Sequence, residues 1–300
     1  MRHRFYFYRR WKRKIFSLLF IALGGSSLAT VTDIADVGTF VNNLKQMFCD
    51  KEEDVSCIVA DSFQEDTNLD SYECARMMTI RKDAVCIRHT GYTTCFSSEN
   101  GIPYWVAWKL TEDRTSGTAR RCDSFFPDPA VPEEYKIEPM EYSGSGYDRG
   151  HMCPAADNRW NAVAMKESFY MTNICPQDHD LNEKSWERLE EACRRWARKW
   201  GEVYVCCGPV WKGPFHETIE ARHQITVPEG FFKAVICLKK GKEKGIAFFY
   251  HNIPGTQTME KAALPIRDVE NMIDMDLFFN VPEKIQDRIE NSCNLREWDR

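Results

Sequence analysis

The most informative part of the sequence runs from Gly144 to Arg195 and reads GSGYDRGHMCPAADNRWNAVAMKESFYMTNICPQDHDLNEKSWERLEEACRR. Its segment DRGH, at residues 148–151, places an imidazole beside a guanidinium at a glycine-containing turn. Histidine, with an ordinary pKa of about 6.5, is the usual general base near neutral pH. The donor fork of arginine fits a phosphate group. A surface turn with an ordinary histidine is the alternative that so short a motif leaves open.

A helix is predicted from Asn182 to about Trp200, with Gly201 as its stop signal. Apolar side chains recur there at spacings of three and four residues, as on the buried face of an amphipathic helix. These side chains are Leu189, Cys193, Trp196 and Trp200.

The polar side of this helix carries three groups that suit metal and phosphate binding. At about 100° per residue, Glu190 lies roughly 80° and Arg194 roughly 120° from Asn182, so the three side chains can line one broad face. An amide oxygen, a carboxylate and a guanidinium suit a hydrated Mg²⁺ beside a phosphodiester, because Mg²⁺ prefers oxygen ligands and keeps most of its waters. An exposed helix with an ordinary Glu190–Arg194 ion pair is the alternative.

Strands are predicted where β-branched and aromatic residues cluster between Gly, Pro and Asn. They cover Tyr104–Leu110, Ser168–Ile174, Val203–Cys207, Phe231–Leu238 and Ile246–Tyr250. Together with the helix, they predict a mixed domain of strands and helices.

The first 29 residues have the pattern of a targeting signal. They contain seven Lys or Arg and no acid, then an apolar stretch at Ile15–Gly25 and the small-x-small pattern Ser27-Leu28-Ala29. Eleven apolar residues are too few to cross a bilayer and match a secretory signal peptide. We therefore expect a secreted protein, periplasmic or extracellular, with no stable membrane association after cleavage. An uncleaved anchor and a mitochondrial presequence are the alternatives.

Charge divides the remaining chain in two. Residues 30–85 contain twelve acids, five bases and three cysteines, and the texture changes near residue 86. The sequence therefore predicts an acidic N-terminal extension at 30–85 and a domain at 86–300. The extension is interpreted as a solvated segment; a sharper hypothesis is that it covers a basic cleft and restrains activity. Residues 184–199 hold six bases and three acids within a chain of net charge −5, which predicts a local phosphate-binding patch.

Thirteen cysteines, all downstream of the signal, suit an oxidising compartment in which several would pair. The number is odd, so at least one cysteine stays free or pairs between chains. A disulfide between Cys153 and Cys175 is one hypothesis, although buried thiols are the default reading.

The ordered motifs resemble the DNA/RNA non-specific endonucleases of the ββα-metal (His-Me finger) class, which includes secreted bacterial nucleases and the endonuclease G type. The likeness covers roughly residues 86–285. It implies an α+β fold with a mixed, mainly antiparallel central sheet flanked by helices and a ββα-metal catalytic motif. It rests on Gly144-x-Gly146-Tyr147-Asp148-Arg149-Gly150-His151-x-x-Pro154-x-x-Asp157, Phe169-x-x-x-Asn173-Ile174-x-Pro176-Gln177, Leu181-Asn182-x-x-x-Trp186-x-x-x-Glu190-x-x-x-Arg194 and Gly208-Pro209-Val210.

The resemblance implies a role for each matching residue. His151 corresponds to the general base that activates water, Asn182 to the one direct protein ligand of Mg²⁺, and Glu190 to the carboxylate that holds a metal-bound water. We expect that Mn²⁺ can replace Mg²⁺ as the bound ion.

Other matched residues are implied to face the phosphate or support the site. Arg149 and Arg194 correspond to phosphate-side arginines, and Asn173 to a polar supporting residue counted with the catalytic group. A further phosphate-contacting arginine is expected before Phe125; Arg120 and Arg121 both fit, and Arg121 is taken as the substrate-binding candidate.

The resemblance implies a sugar-non-specific endonuclease that hydrolyses DNA and RNA and leaves 5′-phosphate ends. Some members of the family form homodimers, so a homodimer is a further expectation. Indifference to the sugar follows if contacts go mainly to phosphates, which carry no sequence information. The alternatives are a phosphodiesterase acting on small nucleotides and a catalytically silent nucleic-acid-binding surface protein. The joint presence of all four groups argues against the silent alternative; they are His151, Asn182, Glu190 and Arg194.

Overall fold

The structure is a computed structural model that describes residues 72–78, 81–213 and 216–299. The predicted signal peptide at 1–29, and the extension up to residue 71, lie outside the described residues. Within the described ranges, no helix is both long enough and apolar enough to span a membrane.

A seven-stranded sheet forms the centre of the fold, in the order β12-β11-β10-β7-β4-β3-β2, and every neighbouring pair in it is antiparallel. Three two-stranded sheets accompany it, formed by β1 with β13, β5 with β6, and β8 with β9. The strands are β1 (Ala75–Met77), β2 (Ala84–Arg88), β3 (Thr93–Ser97), β4 (Ile102–Thr111), β5 (Asp148–His151), β6 (Ile174–Gln177), β7 (Glu202–Val210), β8 (Thr218–Glu220), β9 (Gln224–Thr226), β10 (Gly230–Cys237), β11 (Lys244–His251), β12 (Ala263–Leu264) and β13 (Met275–Leu277).

Both faces of the large sheet are covered. All eight residues of β10 are buried, which explains its nearly continuous apolar sequence. One face packs with α2 around Trp108, Trp186 and Trp196, and the other packs with α4 around Ile266 and Val269. The helices are α1 (Ala162–Glu167), α2 (Glu187–Trp200), α3 (Met259–Ala262), α4 (Ile266–Ile273), α5 (Glu283–Ile289) and α6 (Arg296–Asp299). The predicted α+β fold, with a mainly antiparallel sheet flanked by helices, is confirmed.

Four of the five predicted strands are confirmed as β4, β7, β10 and β11. The prediction of a strand over Ser168–Ile174 is wrong, because residues 171–173 form a 3₁₀ turn and β6 begins only at Ile174. The Asn173 side chain donates to the carbonyl oxygens of Ser168 (2.8 Å) and Cys153 (2.9 Å), so it stabilises a turn in place of a ladder.

The predicted long helix is present, but it is not uniform. A π-helical turn at Leu181–Trp186 leads directly into α2, and Gly201 (φ +90°) ends the helix as predicted. Asn182 lies on the π-helical turn, whereas Glu190 and Arg194 lie on α2.

Strands begin before residue 86, where the composition predicts the domain boundary. Residues of β1 pair with β13, with Ala75 opposite Leu277, and β2 starts at Ala84. The boundary itself stays a prediction.

Candidate active site

A hairpin and a helix bring the site together. Strands β5 and β6 pair antiparallel, with Gly150 opposite Cys175 and His151 opposite Ile174, and the chain then turns into the π-helical turn and α2. Glycine is required at position 150, because a Cβ there would lie 2.1 Å from Oε1 of Gln177. The strands can therefore approach closely enough to present His151 toward the helix.

A cavity of about 560 Å³ lies between this hairpin and the helix. It collects six of the seven residues that the sequence predicts for the site; they are Arg121, Arg149, His151, Asn182, Glu190 and Arg194. Asn173 is not among the residues that line it.

His151 occupies an aromatic part of the cavity. Its ring lies 5.3 Å from that of Phe125 and 4.9 Å from that of Phe169, centroid to centroid. Nε2 of His151 is buried and has no hydrogen-bond partner among the described residues, while Trp186 Nε1 donates to the His151 carbonyl oxygen (3.1 Å). Burial, followed by the positive charge of Arg121, lowers the pKa of His151 to about 3. The imidazole is therefore neutral and able to accept a proton at neutral pH.

Asn182 is held by an acceptor. Its Nδ2 donates to Oδ2 of Asp148 (3.0 Å). Because an ionised carboxylate only accepts hydrogen bonds, this contact fixes which end of the amide faces Asp148 and leaves Oδ1 available to the cavity. The same Asp148 oxygen is 3.0 Å from Nδ1 of His179, so this exposed histidine supports the residue that holds Asn182.

Glu190 and Arg194 sit in a cluster of alternating charges. Arg194 Nη1 donates to Oδ1 of Asp157 (3.0 Å), and Oδ2 of Asp157 accepts from Trp108 Nε1 (3.0 Å). Burial raises the pKa of Glu190 to about 7, while the charges of Lys233 and Arg194 act in the opposite direction. The simple Glu190–Arg194 ion pair of an exposed helix is thus replaced by a buried network.

Lys233, on the central strand β10, is the residue near the site that sequence reasoning missed. Its side chain is fully buried, and its Nζ lies 3.9 Å from Oε1 of Glu190 and 4.2 Å from the centre of the Trp186 ring. No described residue is within hydrogen-bonding distance of that Nζ. A buried charge without a hydrogen bond is costly. The acidic group beside this lysine is Glu190, and the lysine supplies the positive charge that Glu190 needs. The signal in the sequence is a single lysine within the apolar run GFFKAVIC of β10.

The two candidate phosphate-binding arginines outside the helix, Arg149 and Arg121, are held by different contacts. Arg149 donates from Nε (3.1 Å) and Nη2 (2.7 Å) to the carbonyl oxygen of Pro139. Arg121 lies over the ring of Phe169, 5.1 Å from its centre, and lines the cavity. Arg120 instead donates to Asp123 (3.2 Å) and is absent from the cavity lining, so the structure favours Arg121 of the two arginines.

The comparison with known sequences is decisive for the family. A family model described as DNA/RNA non-specific endonuclease matches residues 62–284. The chain belongs to this family.

Relatives of the family are about a third identical to this chain over the aligned regions. It is 32% identical over 211 residues to Nuclease 1, mitochondrial, of Schizosaccharomyces pombe, and 31% identical over 192 residues to Endonuclease G, mitochondrial, of Homo sapiens. These matches cover 64% and 60% of this chain, and the chain spans 66% and 64% of the length of those proteins. It is also 31% identical over 214 residues to a nuclease of a Nostoc species, covering 68% of this chain and 76% of that protein.

The fold is similar to a solved structure of an endonuclease. A chain in the crystal structure of the EndoG/EndoGI complex matches with a TM-score of 0.61 and 26% identity, covering 66% of this chain and 87% of that chain. The hairpin of β5 and β6 followed by the helix is the ββα-metal motif of this endonuclease family.

Asn173 supports the motif without entering the cavity. It is fully buried, and its Oδ1 accepts from the backbone nitrogen of Cys153 (2.8 Å) while its carbonyl oxygen accepts from that of Met152 (2.9 Å). It therefore fixes the chain directly after His151.

Cys153 and Cys175 are buried free cysteines, and the Sγ of Cys153 accepts from Nδ2 of Asn158 (3.3 Å). A disulfide between the two cysteines stays a hypothesis.

Two side chains that line the cavity offer oxygen atoms, the type of ligand that a hydrated divalent cation such as Mg²⁺ prefers. They are the side chains of Asn182 and Glu190. In the part of the chain that the structure describes, no group of three or more His, Cys, Asp or Glu side chains could hold a metal ion. An ion here would take its remaining ligands from water and substrate, as Mg²⁺ commonly does.

Proposed function

We propose that this chain is a secreted Mg²⁺-dependent endonuclease that hydrolyses phosphodiester bonds of DNA and RNA and leaves 5′-phosphate ends. The observation that carries the proposal is the single cavity in which a neutral histidine, an amide oxygen, a carboxylate and three arginines meet. Membership of the DNA/RNA non-specific endonuclease family supports it.

His151 is proposed as the general base. It is neutral before substrate binds, since burial lowers its pKa to about 3. A phosphodiester entering the cavity brings negative charge, which favours the protonated imidazole and raises its pKa. The imidazole can therefore best hold the proton taken from the attacking water when substrate is in place, and its Nε2 is buried away from bulk water.

Asn182 and Glu190 are proposed to hold the cation. The Oδ1 of Asn182, oriented by Asp148, would be the direct ligand, and the carboxylate of Glu190 would accept hydrogen bonds from water bound to the ion. When bound, the ion supplies Lewis acidity that stabilises the leaving 3′-oxygen. Mn²⁺ is expected to substitute, because the ligands are oxygens.

Three arginines are proposed to neutralise the phosphate. Arg149 and Arg194 are held by Pro139 and Asp157, respectively, so their positions are set before substrate arrives. Arg121 is exposed and extends the same wall of the cavity. Contacts of this kind read the backbone of the polymer and not its bases, which accounts for action on both DNA and RNA.

Secretion is proposed from the pattern of residues 1–29. Several relatives have the word mitochondrial in their names, and this makes a presequence the competing outcome. The test is N-terminal sequencing of the mature protein together with fractionation of the source cells. A mature protein that begins near residue 30 in the secreted fraction supports export; recovery from mitochondria contradicts it.

The activity test compares wild type with His151→Ala on plasmid DNA and on RNA, each with Mg²⁺ and with EDTA. We expect the variant to lose roughly 10²- to 10⁴-fold in rate, the usual contribution of a general base, and EDTA to abolish cleavage by the wild type. His251→Ala is the matched control, because His251 is exposed and outside the cavity lining.

The products separate the proposal from its alternatives. Linear and shortened plasmid fragments with 5′-phosphates, detected by direct ligation without kinase, support an endonuclease. Cleavage confined to dinucleotides and nucleotide esters would instead establish a small-nucleotide phosphodiesterase. Binding without cleavage would establish a silent nucleic-acid-binding protein.

A further inference from the structure

We propose that Cys86 and Cys95 form a disulfide that fastens the edge strand of the large sheet. The two residues are direct partners in the antiparallel pairing of β2 with β3. Their sulfur atoms lie 2.8 Å apart, with the Cys86 thiol directed at Cys95 Sγ. Both are thiols in this structure, so the proposal concerns their oxidation.

The backbone already satisfies what a disulfide requires. Directly opposed residues of an antiparallel pair have Cα atoms about 4.5 to 5.5 Å apart, inside the 4.4 to 6.8 Å range of disulfides. Closing the remaining gap to an S–S bond of about 2.05 Å needs only small rotations of the two side chains. The register of β2 and β3 is therefore compatible with both redox states.

Access favours attack through one sulfur. Cys86 is exposed, whereas Cys95 is fully buried. A small disulfide such as oxidised glutathione can reach Cys86 from solvent: the Cys86 thiolate attacks one sulfur of the donor, forms a mixed disulfide and releases one glutathione thiolate. The Cys95 thiolate then attacks the Cys86 sulfur and releases the second. Two thiols lose two protons and two electrons, and the donor disulfide takes the electrons to become two thiols.

The disulfide would stabilise a hairpin that contacts the segment supporting His151. Strand β2 is the outermost strand of the sheet, and the β2–β3 hairpin contacts the chain before and within the 3₁₀ turn at residues 171–173. Tyr92 donates to the carbonyl oxygen of Glu167 (2.8 Å), and Thr94 donates to that of Thr172 (3.0 Å). Asn173, the next residue, fixes the chain that follows His151. A disulfide at the edge strand would thus limit fraying of β2 near Asn173, the residue that supports the site.

Peptide mapping tests the proposal directly. The full chain is refolded with excess oxidised glutathione, alkylated and digested with trypsin without reduction. Cleavage after Arg88 separates DAVCIR (residues 83–88) from HTGYTTCFSSENGIPYWVAWK (residues 89–109), and each peptide contains one cysteine. We expect the two peptides as one disulfide-linked species that separates on reduction. Recovery of both as alkylated, unlinked peptides would overturn the proposal.

Thermal unfolding supplies a second, independent measurement. Closing a loop of this size is expected to raise the Tm of the oxidised wild type above that of Cys86→Ser by about 5 °C. Cys95→Ser and the double variant should lose about the same amount as the single variant, since each removes the same bond. Losses that add in the double variant would contradict a shared bond. Cys293→Ser, a change at another exposed cysteine, is the matched control.

Discussion

His151 and Glu190 line the same cavity in contrasting environments. His151 packs against two aromatic rings, those of Phe125 and Phe169, and its Nε2 has no hydrogen-bond partner among the described residues. Glu190 instead lies beside Lys233 and Arg194. Burial is the main cause of both pKa shifts, and it favours the neutral form of each group. Because one group is a base and the other an acid, the same cause lowers one pKa to about 3 and raises the other to about 7. Experiments can therefore test two sides of the cavity separately: the aromatic side, which contains His151, and the charged side, which contains Glu190.

The largest expected effect on the charged side comes from Asn182→Ala. This change removes the proposed direct oxygen ligand, so we expect the rate of DNA cleavage to fall by at least about 100-fold. Binding of Mn²⁺ to the protein without substrate, followed by electron paramagnetic resonance, should weaken in parallel. Asp148→Asn is the milder companion, expected to cost roughly tenfold because it loosens the holder of the amide. Wild-type cleavage by Asn182→Ala would place the ion elsewhere.

Lys233→Met tests whether charge or packing matters on that side. Without the ammonium 3.9 Å from Glu190, the pKa of Glu190 should rise further above about 7, so less of the carboxylate is ionised at neutral pH. We expect the acid limb of kcat/KM to move upward by about one pH unit, which is roughly a tenfold loss below that pH. Lys233→Arg keeps the positive charge and is the matched variant. Equal losses in both variants, with no shift of the limb, would show that the lysine only fills space.

The smallest expected effect is on how the stability of the metal-free protein depends on pH. The pKa of His151 is depressed in the folded state, so the unfolded chain binds the proton first, and stability falls as pH drops from about 6.5 toward 3. The pKa of Glu190 is raised, so the folded state holds the proton longer, and stability falls as pH rises from about 4.5 toward 7.

Two variants should therefore change the slope of the Tm curve in opposite directions. Relative to wild type, His151→Gln should gain Tm as pH falls below 6.5, and Glu190→Gln should gain Tm as pH rises from 4.5 to 7, by a few degrees in each case. The measurement is calorimetry of the metal-free protein across pH 3 to 8. Unchanged slopes in both variants would mean that neither group is as buried as the structure has it.

The sequence predicted the parts of the site that depend on local spacing. The polar face of Asn182, Glu190 and Arg194 follows from a short motif. The glycine-containing turn predicted at residues 148–151 is wrong, because these residues form strand β5, paired with β6. Ordered motifs also predicted the family, which the match over residues 62–284 confirms.

The sequence did not predict what depends on contacts between distant residues. Lys233 reaches Glu190 from a strand 43 positions further along the chain, and Asp157 reaches Arg194 from 37 positions before it. Neither pairing leaves a periodic signal. The strand prediction over Ser168–Ile174 failed for a similar reason, because hydrogen bonds from the Asn173 side chain to the carbonyl oxygens of Cys153 and Ser168 stabilise a turn there.

The buried Lys233 has a consequence for the order in which the protein assembles. Strand β10 can pair with β7 and β11 before the helix is in place, but its ammonium would then face a half-built core with no neighbouring negative charge. The π-helical turn and α2 supply Trp186 over the lysine and Glu190 beside it. The same packing thus covers the buried lysine of the central strand and forms one side of the candidate cavity, so a substitution that displaces this helix is expected to weaken the sheet and the cavity together.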